Sequence, residues 1–299
     1  MSKSPSLQVS ESPRSVPRTP RRLGDSTTRR LLSILIHFLL ILGAIATAIP
    51  LLWMLSASFM PQGEATSFPP RLLPSRFTLE HYGDLFTRLS LGRAFLNSLF
   101  VALIATLASL LFNSMAGYAF AKLHFRGRAS LFAFLLAALA IPAQVAMLPL
   151  FLLLKSLGLV NTYAGVLVPY VATIYGMFLV RQFMVSIPDD LLAAARVDGA
   201  SELRIYWSVV LPVARPVLAT LAIFTFMSAW NDFMWPLIIL TDDDKYTMPV
   251  AVANLVGEHA LDLELMMASA VLTVIPVLTL FFVLQKQYIA GMMAGSVKG

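Results

Sequence analysis

The stretch 181–215, RQFMVSIPDDLLAAARVDGASELRIYWSVVLPVAR, decides how the rest of the chain is read. It lies between two membrane-length apolar runs. It nevertheless holds four arginines (Arg181, Arg196, Arg204, Arg215) and four acids (Asp189, Asp190, Asp198, Glu202). Pro188 suits the first turn of a helix, where a missing N–H costs nothing. Asp189 and Asp190 follow it and place negative charge near the helix N-terminus, where it is favourable. Leu191 to Arg196 are good helix formers. Gly199 supplies the left-handed residue that ends a helix, and Ser201 suits the cap of the next one. Pro212 falls where that second helix must yield to the following apolar run. The Ala193–Ala195 face has almost no side-chain bulk, so a partner backbone can approach it closely. A loop this long and regular is more than a connector. It reads as a short docking helix through which another protein moves this one. The alternative is an amphipathic helix lying in the membrane interface. Against that, the helix is short, small-faced and acidic at its start, and it lacks a Trp or Phe wedge.

Working outward, the 299 residues are 58% hydrophobic and only 13% charged, about half the charged fraction of a soluble protein. That composition specifies a polytopic, all-α membrane protein. A bilayer core takes about 20 apolar residues as helix, and charge-poor intervals define six such spans: 31–55, 94–121, 129–154, 162–180, 216–240 and 265–284. Prolines 50, 142, 149, 169 and 276 lie inside these runs, where neighbouring helices can satisfy the freed carbonyls. Lys and Arg set the orientation. Segments 1–30, 122–128, 181–215 and 285–299 carry 7, 3, 4 and 2 of them, 16 of 22, and the intervening segments carry the other 6. Both termini and the 181–215 loop are therefore expected on the cytoplasmic side. The net charge of +6 is explained by that asymmetry and does not call for a nucleic-acid partner. Residues 1–30, rich in Ser, Pro and Arg, are expected to form a disordered cytoplasmic tail. The membrane domain is then 31–299.

The chain contains no cysteine, and its four histidines, His37, His81, His124 and His259, are dispersed. No phosphate loop, H-E-x-x-H or G-x-S-x-G pattern occurs. Neither catalysis nor a bound cofactor or metal is expected of this chain. The Asp242–Asp244 run lacks the spacing of a calcium loop and reads as solvated outer surface. A pump without a phosphate loop borrows its ATPase or runs on an ion gradient. Asp232 is the one charged residue within a span, and at 1.5 Å per residue it falls near the outer interface. It either belongs to an interfacial belt with Trp230 and Trp235 or lines a solute path. Asn113 and Asn231 are further path candidates, with helix–helix adhesion the plainer reading for each; Asn97 and Gln144 are of the same kind.

The residues IPDDLLAAARVDGA at 187–200, with Leu211-Pro212 beyond, resemble the coupling ("EAA") loop of binding-protein-dependent ABC importer permeases, in particular the carbohydrate, maltose-type branch. Ala194, Ala195, Asp198, Gly199, Leu211 and Pro212 fall on that pattern. Ala193 stands where the family usually has Glu, with Asp190 or Glu202 as substitutes. NSMAGYAFAK at 113–122, SAWNDFMWPL at 228–237 and the terminal GSVKG also resemble this branch. The resemblance implies a type I importer permease fold of six helices, paired with a second, similar permease. Two ATPase subunits, which would carry the ATP and Mg, dock on the paired loops, and a solute-binding protein delivers a sugar from outside. It further implies that Pro188, Leu191, Ala194, Ala195 and Gly199 form the fitting surface, that Asp198 caps the turn, and that Arg196 or Arg204 pairs with partner acids. A gradient-driven transporter or channel is the rival. It calls for a mid-membrane charge, broken helices and an inverted repeat, and none is evident in the sequence.

Overall fold

The computed structural model describes residues 24–69, 71–87, 90–258 and 262–296. Most of the expected tail, His259 and the last three residues lie outside them. The described residues contain helices and connecting turns and no strand. In order the helices are α1 (Gly24–Ala57), α2 (Glu80–Thr87), α3 (Leu91–Lys122), α4 (Arg128–Ala138), α5 (Ala143–Ser156), α6 (Tyr163–Val171), α7 (Ile174–Val185) and α8 (Asp189–Val197). They continue with α9 (Glu202–Ile205), a π turn at Tyr206–Val210, α10 (Leu211–Val213), α11 (Arg215–Asn231), α12 (Met234–Ile239), α13 (Met248–Glu258) and α14 (Leu263–Ser296).

Of the described residues, those up to Leu52 form one compact unit and those from Trp53 onward a second. The first unit is most of α1, which starts at Gly24, not at the expected Leu31. Its leucines and isoleucines, from Leu31 to Leu52, are exposed. In the second unit α3 is the central element: α6, α7 and α11 pack on it, and α14 packs on α11. Gly117 sets the α3–α7 approach, since a Cβ there would sit 2.9 Å from Val180 Cγ1 and 3.0 Å from the Arg181 amide nitrogen. Large apolar side chains on the outer faces remain exposed, Phe134 at 70% and Leu148 at 67% among them. An exposed apolar surface of that extent suits lipid, not water.

Among the described residues, four helices are individually long and apolar enough to cross a membrane: Arg30–Ala57, Leu91–Lys122, Tyr163–Val185 and Leu263–Val283. Two bent pairs bring the number to six if each counts as one span. They are Arg128–Ala138 with Ala143–Ser156, at 103°, and Glu202–Val213 with Arg215–Asn231, at 81°. The expected third span is therefore not straight, and broken helices, not expected from the sequence, are present. Before Pro142 the chain tightens into three-residue bonds, Leu139 to Leu136, Ala140 to Ala137 and Ile141 to Ala138. Pro142 then disfavours helical geometry for the residue it follows. The expected fifth span, 216–240, is also interrupted. α11 stops at Asn231, Asp232 is extended at φ −71° and ψ 122°, and α12 restarts beyond it. Pro236 fits the first turn of α12, where no N–H is needed. The fourth is interrupted at Ala172-Thr173, and Thr173 caps the restart by accepting from the Gly176 amide at 3.1 Å.

The segment 241–246 is tied down by charge pairs. Asp242 accepts from Asn161 at 2.7 Å and from Lys245 at 2.9 Å. The Lys245 hydrogen bond holds the Asp242 carboxyl below its ordinary range. Arg93 pairs with Asp244. Asn97 donates to the Asp244 and Tyr246 carbonyls at 2.9 and 3.0 Å. Asp242 and Asp244 thus face separate partners, and among the described residues no three His, Asp or Glu gather as metal ligands do.

Candidate functional site: the helix hairpin around Gly199

The polar loop folds as a helix, a one-glycine turn and a second helix. Pro188 is the N-cap residue of α8, and Asp189 and Asp190 occupy its first turn. Asp198 is the C-cap, with its amide on Ala194 O at 3.0 Å. Gly199 N bonds Arg196 O and Ala200 N bonds Ala195 O, both at 3.0 Å. Those two bonds are the Schellman closure, which needs a left-handed residue, and Gly199 has φ +77°. Ser201 caps α9 by accepting from the Arg204 amide at 3.4 Å. Beyond α9 the Leu211 amide reaches back five residues to Tyr206 O. Pro212 has no N–H to continue an α pattern, and its ring clashes with the carbonyl four residues before it. The widened π turn relieves that clash, and the chain then turns into α11.

One face of the hairpin is buried. Leu192 (1% exposed), Ile205 and Val210 pack with Tyr118, Val180 and Met184, and Ala195 lies against this cluster. Burying Leu192 contributes about 1.5–3 kcal/mol. The opposite face is apolar and exposed: Val197 at 88%, Leu203 at 60%, Trp207 at 53% and Leu191 at 43%. Ala193 and Ala194 are exposed beside them. Trp207 lies beyond the short first helix, which itself carries no Trp or Phe, and adds a bulky ring to that surface; its spacing of four from Leu203 is the sequence signal for it.

The charges are largely consumed within the chain. Arg196 Nε donates to Glu202 Oε1 at 2.7 Å and Nη2 to Oε2 at 3.3 Å. The Tyr118 hydroxyl donates to Glu202 Oε2 at 2.6 Å. Lys122, its side chain 5% exposed, donates to Ile187 O and to Asp189 Oδ1, both at 2.6 Å. That bond holds the Asp189 carboxyl below its ordinary range. The Arg181 guanidinium lies 4.0 Å from the Phe132 ring centre. Asp190, Asp198 and Arg204 are the exposed charges left on the hairpin. Arg196 and Glu202, expected to meet a partner, meet each other.

The three path candidates are each held by separate partners. Asn113 is 1% exposed. It donates to Ser109 Oγ at 2.7 Å and accepts from the Thr173 amide at 2.9 Å. Ser109 continues the network to Thr225 at 3.1 Å, so it joins α3, α7 and α11. Asp232 accepts from the Tyr170 hydroxyl and, at 3.3 Å, from the Trp235 amide, capping α12. Asn231 is exposed and donates back to Met227 O at 2.8 Å.

A polytopic helical chain with broken spans and an exposed hairpin between two of them is the architecture of a membrane transport subunit. The sequence profile of the binding-protein-dependent transport system inner membrane component matches residues 113–293, and the chain belongs to that family. It is 37% identical over 278 residues to an arabinooligosaccharides transport system permease protein of Halalkalibacterium halodurans, covering 91% of this chain and all of that one. It is 36% identical to a diacetylchitobiose uptake system permease protein of Streptomyces coelicolor, covering 92% and 90%. Among solved structures it resembles a bacterial ABC transporter involved in the import of the acidic polysaccharide alginate. That match has a TM-score of 0.76 at 26% identity, over 91% of this chain and 99% of that one. The chain is thus a multi-pass permease subunit of an ABC importer, a transport component and not an enzyme.

Proposed function

We propose that this permease carries an oligosaccharide inward, in a pathway formed with a second, similar permease and driven by two ATPase subunits. The membrane domain is 31–299, preceded by a cytoplasmic tail, and both termini and the 181–215 hairpin face the cytoplasm. The hairpin is the coupling loop. Pro188, Asp190, Leu191, Ala194, Ala195 and Gly199 shape the docking helix, and Leu211 and Pro212 turn it into α11. Arg196 acts inside the hairpin, through Glu202, while Asp198 ends the helix by its backbone. ATP and Mg belong to the ATPase subunits, and a solute-binding protein delivers the substrate. Asn231 and Asp232 are the pathway candidates we retain; Asn113 serves packing. Relatives named for arabinooligosaccharides, diacetylchitobiose and melibiose, raffinose and stachyose support the oligosaccharide class without favouring maltose.

The carrying observation is the exposed apolar face of Leu191, Val197, Leu203 and Trp207 on a hairpin whose other face is fully packed. A surface of this kind marks a contact with protein or membrane, and the exposed Asp190, Asp198 and Arg204 beside it favour a protein. Affinity purification from gently solubilised membranes is the test. A second permease and a nucleotide-hydrolysing subunit are expected in the eluate, and replacing Val197 and Trp207 by aspartate should release the hydrolase alone. A complex purified intact without any hydrolase would overturn the proposal. Uptake measured across oligosaccharides in a strain lacking this chain then identifies the substrate.

A further inference from the structure

The hairpin is held to the membrane helices in two ways. Its buried leucine, isoleucine and valine side chains pack on a shared cluster, and such contacts are non-directional and tolerate sliding. The directed contacts are few: Ser114 meets the Tyr206 hydroxyl at 2.6 Å, and the charged ones arise from one turn of one helix. Tyr118 and Lys122 stand four residues apart on α3, hence on one face. Lys122 grips the start of α8 through Ile187 O and Asp189, each at 2.6 Å. Tyr118 grips the start of α9 through Glu202 at 2.6 Å. Glu202 is tied to the end of α8 by Arg196 at 2.7 Å. The start of the hairpin and the beginning of its second helix are therefore fastened to the last turns of α3 by bonds to charged groups, the stronger class of hydrogen bond. The Lys122 ammonium is almost fully buried, so each of its bonds is costly to leave unmade.

We infer that Tyr118 and Lys122 are positioning residues that clamp the coupling hairpin to α3, so that a displacement imposed on the hairpin is delivered to the membrane core through α3. The rest of the geometry agrees with that route. α6, α7 and α11 all pack on α3, so moving its end moves the helices that surround it. The inference rests on the docking reading above.

The test uses the complete transporter in proteoliposomes with its solute-binding protein, recording ATP hydrolysis and sugar accumulation in the same vesicles. Tyr118→Phe removes one oxygen and keeps the ring in its cluster. Its complex should assemble and hydrolyse ATP while sugar moved per ATP falls about tenfold, the scale set by losing one hydrogen bond to a charged group. Lys122→Met should lower the same ratio, and Lys122→Arg, which keeps a donor, should retain more of it. A Tyr118→Phe ratio equal to wild type overturns the clamp, as does a parallel fall of hydrolysis and uptake, which is the signature of a merely structural role. Should Lys122→Met fail to assemble, Tyr118→Phe alone decides. A wild-type complex without a hydrolase sinks the docking reading and the clamp together. A working wild type beside a normally coupled Tyr118→Phe sinks only the clamp.

Discussion

At the level of single residues, Gly199 is where local backbone chemistry bears most directly on the proposed coupling role. Its φ of +77° is required by the Schellman closure, and a Cβ at this position would meet nothing within 4 Å. Any substitution effect on folding is therefore backbone strain and not a clash. A left-handed L-residue costs about 1–2 kcal/mol, asparagine tolerates the conformation best after glycine, and β-branched residues tolerate it worst. Gly199→Asn should transport nearly as wild type. Gly199→Val should insert normally yet lose most uptake, because the angle between α8 and α9 changes. Whole-cell sugar uptake normalised to the membrane-embedded amount of the chain checks this, and unimpaired uptake by the valine variant would count against a coupling role. Ala193 is the complementary case. It is exposed where the family usually carries Glu, and the nearest acid in the second helix, Glu202, is already held by Arg196 and Tyr118. The docking surface left is chiefly apolar, with Asp190, Asp198 and Arg204 around it.

Between elements, the approach of α3 to α7 depends on Gly117, whose added Cβ would meet Val180 Cγ1 at 2.9 Å and backbone at 3.0 Å. Because one neighbour is backbone, relief requires the helices to part. Overpacking of this kind costs about 1–3 kcal/mol, so Gly117→Ala should lower the melting temperature of the solubilised complex. An unchanged melt would mean that the two helices are less closely packed than these distances imply. The same pair shows what a single sequence can convey. Charge-poor runs disclose the long spans, since hydrophobic length is a local property. Pro50, Pro149, Pro169 and Pro276 do remain inside helices, as the membrane argument anticipates. The break after Ala138 is set locally by Pro142, but those after Val171 and Asn231 are set by other means. Thr173 is capped in place by Asn113 from α3, and Asp232 is held by Tyr170 from α6. Such partners are distant in the chain, so no window of neighbouring residues exposes them. The hairpin divides in the same way. Pro188, Gly199 and Ser201 are legible because caps and turns are local, whereas the pairing of Arg196 with Glu202 and the burial of Lys122 depend on how the helices meet.

For the molecule as a whole, the argument turns on which side of the bilayer the hairpin faces. The 16-to-6 partition of basic residues places it with the 122–128 segment, by the positive-inside rule. The chain has no cysteine, so any single introduced one is a unique reporter. Arg126→Cys lies in the first inward segment, and Leu73→Cys in the long loop expected outside, where Leu73 is 76% exposed. In intact cells a membrane-impermeant maleimide should label Leu73→Cys and spare Arg126→Cys, and a permeant one should label both. The reverse pattern would invert the topology and remove the hairpin from any cytoplasmic ATPase. Val197→Cys carries the argument one step further, because Val197 is 88% exposed and stands on the face assigned to docking. In membranes containing this chain and its partner permease alone it should react from the cytoplasmic side. With the ATPase present it should be protected, and Arg126→Cys should stay reactive in both. Equal reactivity of Val197→Cys with and without the ATPase would show that the lever engages some other surface.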